Sequence, residues 1–259
     1  MNQSALGAAH GPWRLSIFDT LGSTSDFCIA RAGAGEPGGL AALARRQDKG
    51  RGRNGRPWTS SEGNLFLSVL LRPEGPARDA GLWSMLAGVA LMDALSEGVA
   101  EPGRLALKWP NDVLLDGRKL AGILVDSAAG AGAELDWLVV GIGANLAVAP
   151  DLPDRVTACL AEFGPPPVPE IVARAILGRL DHWGGLFQAA GFAPIRAAWL
   201  DRAQPVGTPV TLKLLGREWA GRFAGLGVDG SMRLNCDGEI RHFAAGEVVM
   251  GEAARGTGG

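Results

Sequence analysis

The chain has 259 residues, of which 47% are hydrophobic and 20% are charged, with a formal net charge of −2 at pH 7. This composition excludes a disordered chain, and the Arg, Asp, Gly or Pro that interrupts each apolar run argues against a transmembrane helix. The net charge argues against a general nucleic-acid-binding protein. The first residues lack the pattern of a secretory signal, so we expect a cytoplasmic protein.

Hydrophobic periodicity predicts a larger domain of strands and helices at residues 14–203, after a disordered tail at residues 1–13. The predicted elements in chain order are a strand at 14–18, a turn into a helix at 19–26, strands at 40–44 and 65–71, a helix at 79–95, strands at 104–108, 113–115, 120–125 and 135–142, and helices at 172–187 and 194–201. Asp116-Gly117 is typical of a hairpin turn between two of these strands.

The pattern changes near Gln204-Pro205, where short alternating strands replace the longer elements. These strands are predicted at residues 210–214, 219–223, 232–234 and 240–243, and Gly- and Asp-containing turns separate them. This pattern predicts a small β-barrel domain at residues 204–252, followed by a disordered tail at residues 253–259.

Cysteines and histidines give no sign of a metal centre or a disulfide framework. There are three of each, and they are scattered without metal-ligand spacing. We interpret the cysteines as small core residues. Metal chemistry would therefore depend on carboxylates or on the phosphates of a bound nucleotide.

The most unusual segment is Gly-Arg-Gly-Arg-Asn-Gly-Arg at residues 50–56. It matches the letters of a dinucleotide fingerprint, but a strand follows it where that fingerprint requires a helix. Its flexible backbone and three guanidinium groups are suited to binding phosphate or carboxylate. The alternatives are a solvated basic loop and a hook for the DNA minor groove.

Two further segments carry polar residues at strand ends. The turn Lys-Trp-Pro-Asn-Asp at residues 108–112 brings together an ammonium, an amide and a carboxylate, which would suit a nucleotide with bound Mg²⁺ or form a simple Asx turn. Lys119 opens an apolar strand, as an anion ligand or as a snorkelling end residue. Gly122 within that strand indicates close approach of another group, such as a ligand.

Two polar segments have structural as well as binding explanations. Residues 23–26, Ser-Thr-Ser-Asp, fit a helix-capping sequence, and their hydroxyls could also bind a small polar ligand. Asn145 follows a strand that ends in a Gly-rich bend, where it could bind an adenine edge or cap a turn.

Taken in order, these motifs resemble those of the biotin–protein ligases. The matching set is Ser23-Thr24, Gln47 ahead of residues 50–58, the turn at 108–112, the strand from Lys119 and the bend at 141–145. The resemblance implies an α+β fold with a mixed β-sheet flanked by helices, like that of class II synthetases. It assigns residues 14–203 to a catalytic domain and residues 204–252 to an SH3-like barrel.

The resemblance also implies a reaction in two steps. The biotin carboxylate attacks the α-phosphate of Mg-ATP to give biotinyl-AMP and pyrophosphate. A lysine of a biotin carrier domain, usually that of acetyl-CoA carboxylase, then attacks the anhydride and releases AMP. The implied substrates and cofactors are biotin, ATP and Mg²⁺.

The resemblance assigns roles to residues of this chain. The implied catalytic residues are Lys119, Arg53 and Arg56. The residues implied to bind biotin are Ser23, Thr24, Gln47, Gly50, Arg51, Arg53, Lys119 and Gly122. The residues implied to bind ATP are Arg53, Arg56, Trp58, Lys108, Asn111, Asp112, Lys119 and Asn145, with Asp112 a candidate Mg²⁺ ligand.

Other functions remain as alternatives. Lipoate–protein ligases share the fold and chemistry but lack the repeated Gly-Arg loop, and octanoyl transferases use a thioester instead of ATP. A non-catalytic sensor would bind and retain biotinyl-AMP. The roughly dozen residues before the first strand are too few for a helix-turn-helix. We therefore expect a ligase without specific DNA binding or membrane association, as a monomer or a homodimer.

Overall fold

The computed structural model describes residues 13–96, 101–153 and 155–250, which form two β-sheets and four α-helices. The tails predicted at residues 1–13 and 253–259 lie outside the described residues, apart from Trp13. Within these ranges, no helix combines the length and apolar character needed to cross a membrane.

The first sheet has seven strands in the order β1-β2-β3-β7-β6-β5-β4. Their bounds are β1 Arg14–Leu21, β2 Leu40–Gln47, β3 Leu65–Leu71, β4 Leu105–Lys108, β5 Asp112–Leu115, β6 Arg118–Ala129 and β7 Leu135–Ala144. Only β1 and β2 pair in parallel, and the other ladders are antiparallel. The predicted mixed sheet is therefore confirmed.

Four helices flank this sheet. They are α1 Thr24–Gly33, α2 Leu82–Ser96, α3 Pro169–Ala190 and α4 Phe192–Asp201. Side chains of β2 alternate between the faces: Ala41 and Leu43 belong to the main core with α2, whereas Leu40 and Ala42 pack with α1. The sheet is covered on both faces, which explains why its central strands are almost wholly apolar.

The second sheet contains five antiparallel strands in the order β11-β10-β9-β8-β12. Their bounds are β8 Pro209–Leu214, β9 Arg217–Leu226, β10 Met232–Cys236, β11 Glu239–Phe243 and β12 Glu247–Met250. The strand β12 was not predicted. Because β11 and β12 are the edges of the sheet, with no ladder between them in the described chain, closure into a barrel is not confirmed.

The two sheets share one hydrophobic core. Residues of β8, β9 and β10 belong to the same buried cluster as α2 and the first sheet. The indole of Trp109, which is 1% exposed, donates from Nε1 to the Gly230 carbonyl at 3.1 Å. This contact anchors the turn between β4 and β5 to the second sheet.

Packing around α2 predicts the effect of truncating its side chains. Leu86 is fully buried in the shared core, so Leu86→Ala removes apolar burial and leaves a cavity. We expect it to lower the free energy of unfolding by about 3 kcal/mol. Leu215→Ala is the matched control because that side chain is 94% exposed, and its effect should stay within about 0.5 kcal/mol. Urea denaturation measures both, and equal effects would contradict this packing.

Candidate active site

A cavity of about 360 Å³ lies between the carboxyl end of β2, the 50–59 segment, the 108–112 turn and β12. Every residue that the sequence singled out for binding or catalysis lines this cavity, except Gly50. Gly50 lies beside it, where a Cβ would stand 2.7 Å from the Trp58 carbonyl and 3.1 Å from Gln47 Nε2. The motifs separated along the chain are thus adjacent in the fold.

A largely buried ion pair lines the cavity. Lys119 Nζ lies 2.6 Å from Asp112 Oδ1, and Lys108 Nζ lies 3.5 Å from Oδ2 of the same carboxylate. Asp112 begins β5 and Lys119 stands near the start of β6, so the hairpin through Asp116 and Gly117 brings them together. The positive φ angles of 50° and 74° at this turn fit the predicted hairpin signal.

The environment of Lys119 shifts the pKa of its ammonium group. Burial of the ammonium lowers the pKa of Lys119 below its ordinary value, and the charge and hydrogen bond of Asp112 oppose that effect. The nearby cations Arg155 and Lys108 lower it further. Lys119 is therefore held as a cation mainly by a single carboxylate.

The Gly/Arg-rich loop is held by its arginines at three different places. The contacts are Arg51 with Asp26 at 2.7 Å, Arg53 with Asn111 at 3.1 Å, and Arg56 with Glu247 at 2.9 and 2.8 Å. The loop bends through Asn54 and Gly55, whose φ angles are 57° and 71°. It therefore joins α1, the 108–112 turn and the second sheet across the mouth of the cavity.

Neutral hydroxyl and amide side chains of α1, β2 and β3 line another part of the cavity, called here the uncharged end. Ser23 caps α1 by accepting a hydrogen bond from the Asp26 amide at 3.3 Å, as the sequence predicted. The backbone amide of Thr24 donates to Gln47 Oε1 at 2.8 Å, and Ser68 Oγ lies 2.7 Å from Thr24 Oγ1. This end suits a neutral ligand group that both donates and accepts hydrogen bonds.

Trp58 lies across two glycines on adjacent strands. A Cβ at Gly143 would overlap the indole, and a Cβ at Gly122 would stand 3.1 Å from it and 3.2 Å from Lys119 Nζ. The ring also lies 5.6 Å from Lys119 Nζ. The predicted close approach at Gly122 is therefore made by this chain's own Trp58 and Lys119.

Asn145 and Trp58 carry buried polar atoms that are not satisfied within the described chain. Asn145 Nδ2 donates to the Ala158 carbonyl at 3.1 Å, but its Oδ1 has no partner there. Trp58 Nε1 likewise has none. Buried polar atoms of this kind normally have a partner, so both are available for a ligand or an ordered water.

Sequence reasoning missed several residues that line the cavity. Ser68 is hidden in the apolar run of β3 and carries no local signal. Glu247 comes from β12, far along the chain, and Arg155 lies 3.5 Å from it. Hydrogen bonding with Arg56 lowers the pKa of Glu247 below its ordinary value. Only the three-dimensional structure could reveal these contacts.

The pairing of Lys119 with Asp112 makes a prediction about titration. Asp112→Asn removes the negative charge that opposes desolvation, so the pKa of Lys119 should fall further below its wild-type value. The chain has only four lysines, so NMR titration of their side-chain signals can follow each one. Glu218→Gln is the control because Glu218 pairs with the exposed Lys213 at 3.0 Å. A Lys119 pKa that rises or stays constant in Asp112→Asn would contradict this electrostatic account.

Comparison with known proteins identifies the family. Residues 33–145 match the model of the biotin/lipoate A/B protein ligase family. A biotin–[acetyl-CoA-carboxylase] ligase from Paracoccus denitrificans is 38% identical over 228 residues, which cover 84% of this chain and 92% of the relative. A ligase of the same name from Mycobacterium tuberculosis is 31% identical, covering 96% of this chain and 93% of the relative.

The fold agrees with a solved structure of such an enzyme. The biotin protein ligase from Aquifex aeolicus, determined in complex with biotin and ATP, superposes with a TM-score of 0.76 and 26% identity. The match covers 93% of this chain and 99% of that one. From the sequence relationship and the shared fold, this chain belongs to the biotin/lipoate A/B protein ligase family, and within it to the biotin–protein ligases.

Proposed function

We propose that this chain attaches biotin to a lysine of a carrier domain in an ATP-dependent reaction that passes through biotinyl-AMP. One observation carries the proposal: a single cavity joins an uncharged hydrogen-bonding end, a buried lysine and a loop of arginines. Relatives named as biotin ligases, including the one that is 38% identical, support it. The carrier domain of acetyl-CoA carboxylase is the acceptor that those names indicate.

In the first step, a carboxylate oxygen of biotin attacks the α-phosphorus of ATP. The new bond is a mixed anhydride, and the bond that breaks releases pyrophosphate. Two anions must approach each other, so fixed positive charge at their meeting point lowers the barrier. We assign that position to Lys119, because its ammonium lines the same cavity as the neutral end and the arginines and is held there by Asp112.

Arg53 and Arg56 are assigned to phosphate oxygens. Both belong to the loop at the cavity mouth, and their present partners are the Asn111 amide oxygen and the Glu247 carboxylate. Burial lowers the pKa of Arg53 from its ordinary value, but a guanidinium remains charged in proteins. A loop closed over the adenylate would also exclude water, which otherwise hydrolyses the anhydride.

In the second step, the carrier lysine attacks the biotinyl carbonyl as a neutral amine. A C–N bond forms, the C–O bond to AMP breaks, and the amine loses a proton. The carrier must reach the cavity through the same mouth, so the loop has to admit a lysine side chain while it shields the adenylate. The product is a biotinyl amide on the carrier.

The uncharged end is assigned to the ureido ring of biotin. Ser23, Thr24 and Gln47 supply its hydrogen-bonding side chains, and Gly50 lies beside Gln47. We assign backbone groups of Arg51 and Gly122 to the same ligand. A urea group is neutral and both donates and accepts hydrogen bonds, which matches these partners. Charged groups at this end would have to lose their solvation without gaining a counter-charge.

The nucleotide is assigned to the opposite side, between the 108–112 turn and β12. The residues proposed to contact it are Trp58, Lys108, Asn111, Asp112 and Asn145, in addition to Arg53, Arg56 and Lys119. The unsatisfied Oδ1 of Asn145 is an acceptor that fits the exocyclic amine of adenine. The Trp58 indole offers a flat apolar surface for the base.

Magnesium fits this site when it is brought by the nucleotide. The described residues contain no group of three His, Cys, Asp or Glu placed to hold a metal by themselves. Asp112 is a buried carboxylate in the cavity, and Mg²⁺ in phosphate-transfer sites is held by one or two carboxylates and by the phosphates. The ion would neutralise charge on the phosphate oxygens, and Asp112 is the residue we propose to hold it.

The domain organisation is also part of this proposal. We take residues 14–203 as the catalytic domain and 204–252 as a small domain of SH3-like topology. Glu247 supports a functional link between them, because it extends from β12 to Arg56 at the cavity mouth. A cytoplasmic location and the choice between monomer and homodimer stay predictions of the sequence.

Transfer of biotin to a carrier is the direct test of the proposed function. The purified chain is mixed with biotin, Mg-ATP and a biotin carrier domain, and mass spectrometry measures the mass of the carrier. Wild type should add one biotinyl group, and Lys119→Ala should slow the addition by at least about 100-fold, because one preorganised charge is lost. Lys213→Ala is the control, since Lys213 lies in the second sheet and pairs with Glu218.

Other substrates and ligands separate the alternatives. Modification of the carrier by lipoate and not by biotin would indicate a lipoate ligase. Tight retention of biotinyl-AMP without transfer to any carrier would indicate a sensor. Equal rates for Lys119→Ala and Lys213→Ala would contradict the role assigned to Lys119.

The contact between Trp58 and Gly143 gives a second prediction. Gly143→Ala places a methyl group where the indole now lies, so Trp58 must move and the cavity must change shape. We expect carrier biotinylation to fall at least about tenfold while the melting temperature changes by only a few degrees. Gly33→Ala is the control because a Cβ at Gly33 meets nothing within 4 Å. Unchanged activity in Gly143→Ala would show that Trp58 does not shape the site.

A further inference from the structure

Four side chains at the uncharged end of the cavity form one continuous hydrogen-bonded chain. Ser25 Oγ lies 3.0 Å from Ser68 Oγ, Ser68 Oγ lies 2.7 Å from Thr24 Oγ1, and Thr24 Oγ1 lies 3.1 Å from Gln47 Oε1. Among the three hydroxyl-bearing residues, Ser25 is 7% exposed, Ser68 is 0% exposed and Thr24 is 3% exposed. Buried hydroxyls must be paired, and here they are paired with one another.

The backbone of Thr24 fixes the direction of every bond in this chain. A backbone N–H can only donate, and it lies 2.8 Å from Gln47 Oε1, so that atom is an acceptor. The Thr24 hydroxyl must then donate its single proton to the same oxygen. Ser68 must therefore donate to Thr24, and Ser25 must donate to Ser68. The polarity runs from Ser25 through Ser68 and Thr24 to Gln47.

This polarity determines what the cavity offers to a ligand. Thr24 Oγ1 has no proton left and keeps one lone pair, so it can only accept. The oxygen of the Gln47 amide already accepts from Thr24. Gln47 therefore offers its amide nitrogen to a ligand, and that nitrogen can only donate. A ureido ring carries N–H groups beside a carbonyl, which require one acceptor and one donor.

We propose that Ser68 is a positioning residue for recognition of the ureido ring. Its buried hydroxyl donates to Thr24 Oγ1 at 2.7 Å, and this bond holds in place the oxygen that accepts from a ring N–H. Hydrogen bonds in a chain also polarise one another, so the Ser68 proton strengthens the bond from Thr24 to Gln47. The inference rests on the proposed function, since it names a residue that positions the biotin ligands.

The fold around Ser68 leaves room for this hydrogen-bonded chain of side chains. Ser68 pairs in register with Ala42 of β2 and Gly141 of β7, in the middle of the sheet. A Cβ at Gly141 would overlap Ser25 Oγ and would lie 3.5 Å from Ser68 Oγ. Glycine at this position gives the two hydroxyls the space to meet. A hydroxyl at 0% exposure within an otherwise apolar strand is thereby fully compensated.

The test compares two substitutions that each remove one buried hydroxyl. Steady-state kinetics of carrier biotinylation give KM for biotin and kcat in the full chain. Ser68→Ala should raise KM about tenfold, with kcat within about twofold of wild type, because only ligand positioning is lost. Ser25→Ala should raise KM less than about threefold, because the bonds from Ser68 to Thr24 and from Thr24 to Gln47 remain.

Further variants separate positioning from structural damage. Cys28→Ala removes a buried group whose thiol lies 3.6 Å from the Ser68 carbonyl, and it should leave both constants unchanged. Ser68→Cys keeps a weak donor and should give a KM between wild type and Ser68→Ala. This variant decides the question if Ser68→Ala does not fold.

The outcomes are distinct. A KM for biotin in Ser68→Ala within twofold of wild type, or equal to that of Ser25→Ala, would overturn the inference. An equal loss of kcat and melting temperature in Ser68→Ala and Cys28→Ala would show a structural role only. Absence of carrier biotinylation by wild type would instead reject the proposed function, independently of Ser68.

Discussion

The ion pair between Lys119 and Asp112 is the contact on which the rest of the site depends. It places a cation in a cavity where burial alone would favour the neutral amine. The tight hairpin between β5 and β6 holds the two groups 2.6 Å apart. Breaking a buried pair leaves an uncompensated charge, so the hairpin, the carboxylate and the lysine act as a unit. A lysine poised in this way can stabilise charge where two anions meet.

Around this pair the cavity separates charge from neutral polarity. The arginine loop and the 108–112 turn line the cavity with cations, and α1, β2 and β3 line it with hydroxyl and amide groups. The arrangement follows from the sheet: β3, which carries Ser68, pairs with β7, which carries Gly143, and β7 pairs with β6, which carries Lys119 and Gly122. A substrate with a neutral head and an anionic tail would match both kinds of lining.

Much of the fold was predictable because its signals are local. The apolar run of β3, the helical spacing of α2 and the Asp116-Gly117 turn each depend on neighbouring residues. The strand β12 was missed because Glu247–Met250 is four residues long and follows a Gly-containing bend with no clear alternation.

The site was predictable as far as its motifs were distinctive. The Gly/Arg loop, the 108–112 turn and Lys119 were found because their residue types are unusual at strand ends. Ser68 and Glu247 were not, since one lies within an apolar strand and the other meets Arg56 across 191 positions of the chain. Burial of a hydroxyl and a long-range ion pair have no counterpart in local sequence.

We expect this cavity to activate biotin with ATP before any carrier is present. Exchange of labelled pyrophosphate into ATP measures that step directly, because formation of biotinyl-AMP is reversible. The account predicts exchange that requires biotin, proceeds without a carrier and is lost in Lys119→Ala. Exchange that is absent in wild type, or that proceeds equally well without biotin, would contradict it.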